Sequence, residues 1–229
     1  MTVHWREVIY RTTKRPVLDQ KRALGRCCRG WILVILVVLA EVGGAGTCGA
    51  EIEARQILKK GTIQLGLQTG YWQANTGLGN ADSSNRSAIF FLPQIGYTVT
   101  DELKGGYFSG AVDLILEPAG AHFIQPFSAS LFGASVVVKY NFLSFGRWMP
   151  YWDAGFGMAW TDLAPRIPEE SSQFQFMVET GIGTQYFLTE ESALSGGVRF
   201  HHLSDGGIGE RNVGINAWLF LVGYSHYFR

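Results

Sequence analysis

The sequence has few cysteines, and they sit in one place. All three (Cys27, Cys28 and Cys48) precede residue 50 of the 229. Beyond that point no disulfide framework and no thiolate metal site can form. Histidines and carboxylates are not spaced as a ligand set either, so no metal and no other cofactor is implied. The chain also lacks a charge excess, with 19 basic residues against 19 acidic ones. It lacks any apolar run long enough for a stable transmembrane helix, the longest being Trp31–Ala40.

What is present begins with an asymmetry of charge. Arg6, Arg11, Lys14, Arg15, Lys21, Arg22, Arg26 and Arg29 precede Trp31–Ala40, and small residues follow from Gly43 to Ala50. A basic stretch, a short apolar core and a small-residue exit predict a secretory signal segment over residues 1–50. Cys48-Gly49-Ala50 before Glu51 is the expected exit, and Cys48 is not expected to carry a lipid because the preceding residues lack a lipoprotein leucine. Without this leader the remainder has 11 basic and 16 acidic residues, a net charge of −5. It is thiol-free and far from the basicity that nucleic-acid binding requires.

From residue 61 onward, apolar residues alternate with polar or small ones. The predicted strands are 61–72, 88–99, 104–117, 130–143, 148–160, 173–187, 192–204 and 213–228. Long loops are expected at 73–87, 118–129, 161–172 and 205–212, and short turns at 100–103, 144–147 and 188–191. The pattern predicts an all-β fold, an eight-stranded antiparallel transmembrane β-barrel over residues 51–229, preceded by the signal peptide. Both ends of the barrel then fall on the short-turn rim.

The two faces of each strand support a membrane setting. Trp148, Trp152, Ala154, Phe156, Met158 and Trp160 share one parity, against Tyr151, Asp153, Gly155 and Gly157. Trp152 to Trp160 spans ~26 Å of strand, or ~20 Å of height at a ~40° tilt, which sets aromatics near both edges of an apolar band. Phe132, Val136, Val138, Tyr140 and Phe142 point outward opposite Ser135, Lys139 and Asn141. The inward parities collect Asp113, Glu117, Lys139, Asp153, Glu179 and Arg199, expected to be a paired ionic plug. Pro93 predicts a bulge in the second strand. His226 and Tyr227 read as belt residues, and the aromatic ending up to Phe228 resembles the assembly signal of outer-membrane proteins, with Arg229 as a departure.

One stretch carries chemistry: Arg199-Phe200-His201-His202-Leu203-Ser204-Asp205-Gly206-Gly207. His202 and Ser204 share a strand face, ~7 Å apart at Cα. Their parity is that of Leu194, Val198 and Phe200, so both lie on the lipid-facing wall, whereas His201 points to the lumen. A hairpin centred near Gly209 sets His202 opposite Asn216, which shares its parity with Trp218, Phe220 and Val222. A hydroxyl, an imidazole and an amide to orient the imidazole make a workable hydrolase set.

His202-x-Ser204 on the penultimate strand of such a barrel, followed by a Gly-rich loop, resembles the lipid A 3-O-deacylases of the PagL type. The resemblance implies a serine esterase of the cell outer membrane, a multi-pass protein that removes the ester-linked 3-hydroxyacyl chain from position 3 of lipid A. It implies Ser204 as nucleophile, His202 as base and Asn216 at the place of the family's orienting acid. It also implies Asp205 where the family has an oxyanion-donating asparagine, and the Gly207 N–H as the other oxyanion donor. Two departures stand out: Asn216 for an acid, and Asp205 for an amide. Glu210 and Arg211 read as solvated loop charges, with Glu210 the substitute acid if Asn216 is not the orienter. The implied partners are lipid A (lipopolysaccharide) and the membrane, with no nucleic acid; a homodimer is left open. The competing readings are a non-enzymatic structural or adhesive barrel, and a narrow channel for hydrophobic compounds, which the inward charges disfavour.

Overall fold

The structure, a computed structural model, describes residues 52–74, 85–164 and 166–229; the expected signal segment lies outside them. A short helix α1 (Ala54–Ile57) precedes eight strands. These are β1 (Ile63–Ala74), β2 (Arg86–Thr98), β3 (Gly110–Gln125), β4 (Ala129–Phe142), β5 (Trp148–Thr161), β6 (Phe174–Phe187), β7 (Ser192–Ser204) and β8 (Ile215–Phe228). Each pairs antiparallel with the next, and β8 returns to β1 with Ile63 opposite Phe228, so the sheet closes without an edge. The chain enters and leaves at one rim, here the turn rim; the β1–β2, β3–β4, β5–β6 and β7–β8 connections form the opposite, loop rim.

Two connections differ from expectation. β3 runs to Gln125, so the expected long loop at 118–129 shrinks to residues 126–128, and the β2–β3 connection lengthens to residues 99–109. Pro118-Ala119-Gly120 has the composition of a turn but keeps the alternation, with Ala119, Ala121 and Phe123 all inward. The bulge expected at Pro93 is also elsewhere. Phe91 faces Gly120 and Ile95 faces Leu116, so the register passes Pro93 unshifted, and the irregularity falls between Ser87 and Ala88. Counting inward from those pairs sets Pro93 opposite Pro118. Neither residue has an N–H to offer, so the two prolines share one gap in the ladder.

The outer wall is apolar. Phe132, Trp152, Phe156, Trp160, Phe220 and Val222 are all exposed on it. The lumen is filled in three layers. In the middle, Arg199 meets Glu117 at 2.7 Å, Asp153 at 3.0 Å and Glu179 at 3.2 Å. Lys139 lies 3.4 Å from Asp113 and donates to Gln64 at 2.9 Å. Apolar caps flank this layer, a division that parity alone does not reveal. Trp72, Phe90, Phe123, Leu131 and Leu203 close the loop-rim side, where the Trp72 indole N–H donates to His201 Nδ1 at 3.2 Å. Ile57, Leu58, Leu143, Met149 and Phe187 close the other. Tyr227 belongs to that lower cap, buried, its hydroxyl donating to Gln185 at 2.9 Å. It is therefore not a belt residue, because its parity on β8 is the inward one. Polar inside and apolar outside is the reverse of a soluble barrel.

Arg199→Ala is expected to destabilise the barrel by about 3–5 kcal/mol, since it strands three buried carboxylates without their cation. The measurement is the urea midpoint in detergent micelles, and an unchanged midpoint would show that the three carboxylates do not depend on Arg199.

Candidate active site

At the loop rim the β7–β8 ladder ends with His202 opposite Asn216 and Leu203 opposite Ile215. This is the register that the hairpin count sets. His202, Ser204 and Asn216 are all half-buried on the outer wall. His202 Nδ1 lies 2.6 Å from Asn216 Oδ1. A carboxamide oxygen only accepts, so Nδ1 carries a proton and donates it, and Nε2 is the lone-pair nitrogen of the neutral ring. Ser204 closes β7 two residues further on, on the same face, opposite Phe176 of β6. The surroundings are aromatic: Phe200 meets Trp218 edge-on with centroids 5.7 Å apart, and Phe176 stacks on Phe156 at 5.8 Å. A polar pair set in such a wall is poorly solvated, which strengthens its hydrogen bond.

Gly214 contributes in a way that residue type alone does not suggest. Its φ is +79°, and a Cβ there would lie 2.6 Å from His202 Cε1. Only glycine allows both the turn into β8 and the close approach of backbone to ring.

The loop between β7 and β8 is organised by two carboxylates. Asp205 is fully buried. Its Oδ1 accepts the Gly207 N–H at 2.9 Å and its Oδ2 the Gly209 N–H at 3.1 Å. The two residues expected around an oxyanion are thus bonded to each other, with the carboxylate turned into the loop. Glu170, from the β5–β6 loop, accepts the Gly214 N–H at 2.8 Å and the Asp205 N–H at 3.3 Å. Burial raises its pKa, Asp205 adds to the rise, and the donated N–H groups oppose it. Its neighbour Glu169 accepts from buried Arg86 at 2.7 Å. Glu210 is exposed, and the bonded partner of the His202 ring is Asn216. Sequence reasoning singled out His202, Ser204, Asn216, Asp205 and Gly207, but assigned nothing to Gly214, Glu169, Glu170 or Arg86. The adjacent acids Glu169-Glu170 stand out in the loop, but nothing in the local sequence says what they accept from.

A family model described as lipid A 3-O-deacylase (PagL) matches residues 62–225, the whole barrel nearly end to end. The chain belongs to that family. Among solved structures it is similar to the outer membrane enzyme PagL, with 16% identity, a TM-score of 0.50 and coverage of 70% of this chain and 97% of that one. Neisserial surface protein A is 17% identical, with a TM-score of 0.48 and coverage of 73% and 99%. The N-terminal β-barrel domain of Pseudomonas aeruginosa OprF is 16% identical, with a TM-score of 0.47 and coverage of 74% and 98%. These likenesses are of fold. A comparison with curated proteins finds no match. In this lipid A 3-O-deacylase family member, the stretch from Ser204 to Asn216 falls wholly within the matched residues.

Gly214→Ala is expected to strain the turn by about 1–2 kcal/mol and to push the His202 ring off Asn216. A misplacement on the order of 1 Å can cost about 100-fold in rate. The check is the histidine ring's proton chemical shift together with the deacylation rate; wild-type values for both would remove Gly214 from the site.

Proposed function

We propose that this outer-membrane barrel removes the ester-linked 3-hydroxyacyl chain from position 3 of lipid A by a serine-esterase mechanism. The observation that carries the reading is the 2.6 Å contact between His202 and Asn216, on the same wall as Ser204, in a member of this family. Ser204 Oγ attacks the ester carbonyl while His202 Nε2 takes its proton. Asn216 holds the Nδ1–H and with it the tautomer that leaves Nε2 free. The tetrahedral intermediate collapses with cleavage of the carbonyl-to-sugar C–O bond, His202 gives its proton to the departing sugar oxygen, and water then releases the fatty acid from Ser204 by the same steps.

The oxyanion needs donors, and the Gly207 N–H is the candidate. It now serves Asp205 Oδ1, so it reaches substrate by exchanging one negatively charged oxygen for another. Asp205 itself, with its carboxylate accepting two N–H groups, shapes the loop instead of donating.

The site lies on the outer wall at the loop rim, which suits a substrate embedded in the outer leaflet. That orientation has the chain crossing the outer membrane eight times, exported by the signal segment expected over residues 1–50. Every group in the mechanism comes from one chain, so a homodimer adds nothing to it.

Ser204→Ala and His202→Ala are each expected to abolish loss of the hydroxyacyl chain, with the double variant little worse than either alone. Mass spectrometry of lipid A from cells carrying each variant tests this. Retained deacylation in Ser204→Ala would remove Ser204 as the nucleophile, whereas unchanged lipid A in cells carrying wild type would leave a non-enzymatic barrel as the better reading. Asn216→Ala should lower turnover by at least about tenfold, less than the ~10⁴ lost when a charged orienter is neutralised, whereas Asn216→Glu should hold or raise it. Wild-type turnover in Asn216→Ala would place the orienter elsewhere. Asp205→Asn offers one acceptor where two N–H groups donate, so it is expected to slow the enzyme. A faster enzyme would show instead that an amide at 205 donates to the oxyanion.

A further inference from the structure

The β7–β8 ladder ends at the pair Leu203 and Ile215. Ser204 is one residue past it. β6 holds Ser204 on one side through Phe176, but toward β8 the ladder no longer fixes its distance from the His202–Asn216 pair. That distance depends on the 205–214 segment, and both ends of the segment converge on a single carboxylate from another loop. Glu170 Oε2 accepts the N–H of Asp205, the residue directly after Ser204, at 3.3 Å, sharing it with Asn212 Oδ1 at 3.2 Å. Glu170 Oε1 accepts the N–H of Gly214, the residue packed on the His202 ring, at 2.8 Å.

The carboxylate is itself held in place. Gln175 Nε2 donates to Glu170 Oε2 at 3.3 Å and to the Ser172 carbonyl at 2.8 Å. The Val213 N–H donates to the Glu169 carbonyl at 3.0 Å, and the Ser171 N–H to the Arg211 carbonyl at 3.1 Å, so the two loops run together as a short antiparallel bridge. One residue before Glu170, Glu169 accepts from Arg86, the first residue of β2, which ties this bracket to the opposite side of the rim.

We propose that Glu170 is a positioning residue: its carboxylate clamps the two ends of the 205–214 loop and so sets the separation between Ser204 and the His202–Asn216 pair. This rests on the serine-esterase reading above. Barrel closure does not depend on it, because every strand ladder is complete without residues 162–173 and 205–214. A buried carboxylate whose two oxygens accept from residues adjoining the nucleophile and the base is placed to act on geometry, which is where a rate is most sensitive.

The test uses the full chain in detergent micelles, comparing wild type, Glu170→Ala and Glu170→Gln. All rates are taken per folded barrel, counted by heat-modifiable migration on a gel. Three quantities are read: amide hydrogen exchange at Asp205 and Gly214, the rate at which a serine-reactive fluorophosphonate labels Ser204, and kcat and KM on lipid A. Glu170→Ala is expected to speed exchange most at Gly214 and less at Asp205, whose N–H keeps Asn212 Oδ1, while the β7–β8 ladder amides stay protected. It should slow labelling and kcat by about tenfold or more, with KM within about threefold. Glu170→Gln keeps one acceptor oxygen and should fall between. Wild-type labelling and kcat in Glu170→Ala overturn the proposal, as does a loss carried by KM alone. Should Glu170→Ala fail to fold, the same outcomes in Glu170→Gln decide. An inactive, unlabelled wild-type barrel overturns the esterase reading and this role together, whereas an active wild type beside an equally active Glu170→Ala overturns this role alone.

Discussion

The hydrogen-bond ladder that closes β8 onto β1 is the constraint on which everything else depends. In lipid no backbone N–H or C=O can be left to solvent, so the sheet has to close. Closure then divides every strand by parity into a wall that meets hydrocarbon and a face that meets seven other strands. Charges cannot sit on the wall, and a lumen of eight strands has no room for them to hydrate. They must find each other. Arg199 does this for three strands at once, reaching Glu117 on β3, Asp153 on β5 and Glu179 on β6. The apolar caps on either side keep water from that layer, so the ionic contacts and the caps depend on one another.

The same division explains why the candidate chemistry sits where it does. In mid-wall the outward Thr69 and Thr180 give their hydroxyls to backbone carbonyls, whereas larger polar groups sit near a rim, where the membrane interface begins. His202, Ser204 and Asn216 are outward residues at the last positions of β7 and the first of β8. There the ladder holds two of the three, and the third lies one step beyond it. The loops therefore take over a task that the strands perform everywhere else. They do so with charged acceptors, Glu170 and Asp205, each of which takes two backbone N–H groups, one on each carboxylate oxygen.

How much of this could be read from the residues follows from the range of each contact. Period two is local, so seven of the eight strands, the outward aromatics and the inward charges are legible from it. The pairing of His202 with Asn216 is legible too, since it needs only one hairpin and its centre. β3 was misplaced because Pro118 and Gly120 look like a turn, and the residue that excuses Pro118, namely Pro93, lies on another strand. Tyr227 was misplaced because aromatic residues near a strand end suggest a belt whichever way they point. The Glu170 clamp was invisible for a stronger reason. Its partners are 35 and 44 residues away, across two strands, and no local pattern marks a loop acid that accepts from distant amides.

An amide rather than an acid beside His202 shifts weight from charge to geometry in the proposed mechanism. There Asn216 meets the imidazole at 2.6 Å but brings no negative charge to the imidazolium that would form as Ser204 attacks. Stabilisation of that cation is then weaker, and what remains is the accuracy with which Nε2 meets Oγ. In such a site the groups that fix the ring and the loop matter more than in one with a charged orienter. Gly214 lets the backbone lie against the ring, and Glu170 ties that same backbone to the residue after the nucleophile. In the proposed mechanism the nearby carboxylates, Glu170 and Asp205, bond to loop amides, so they act on distances rather than on the proton.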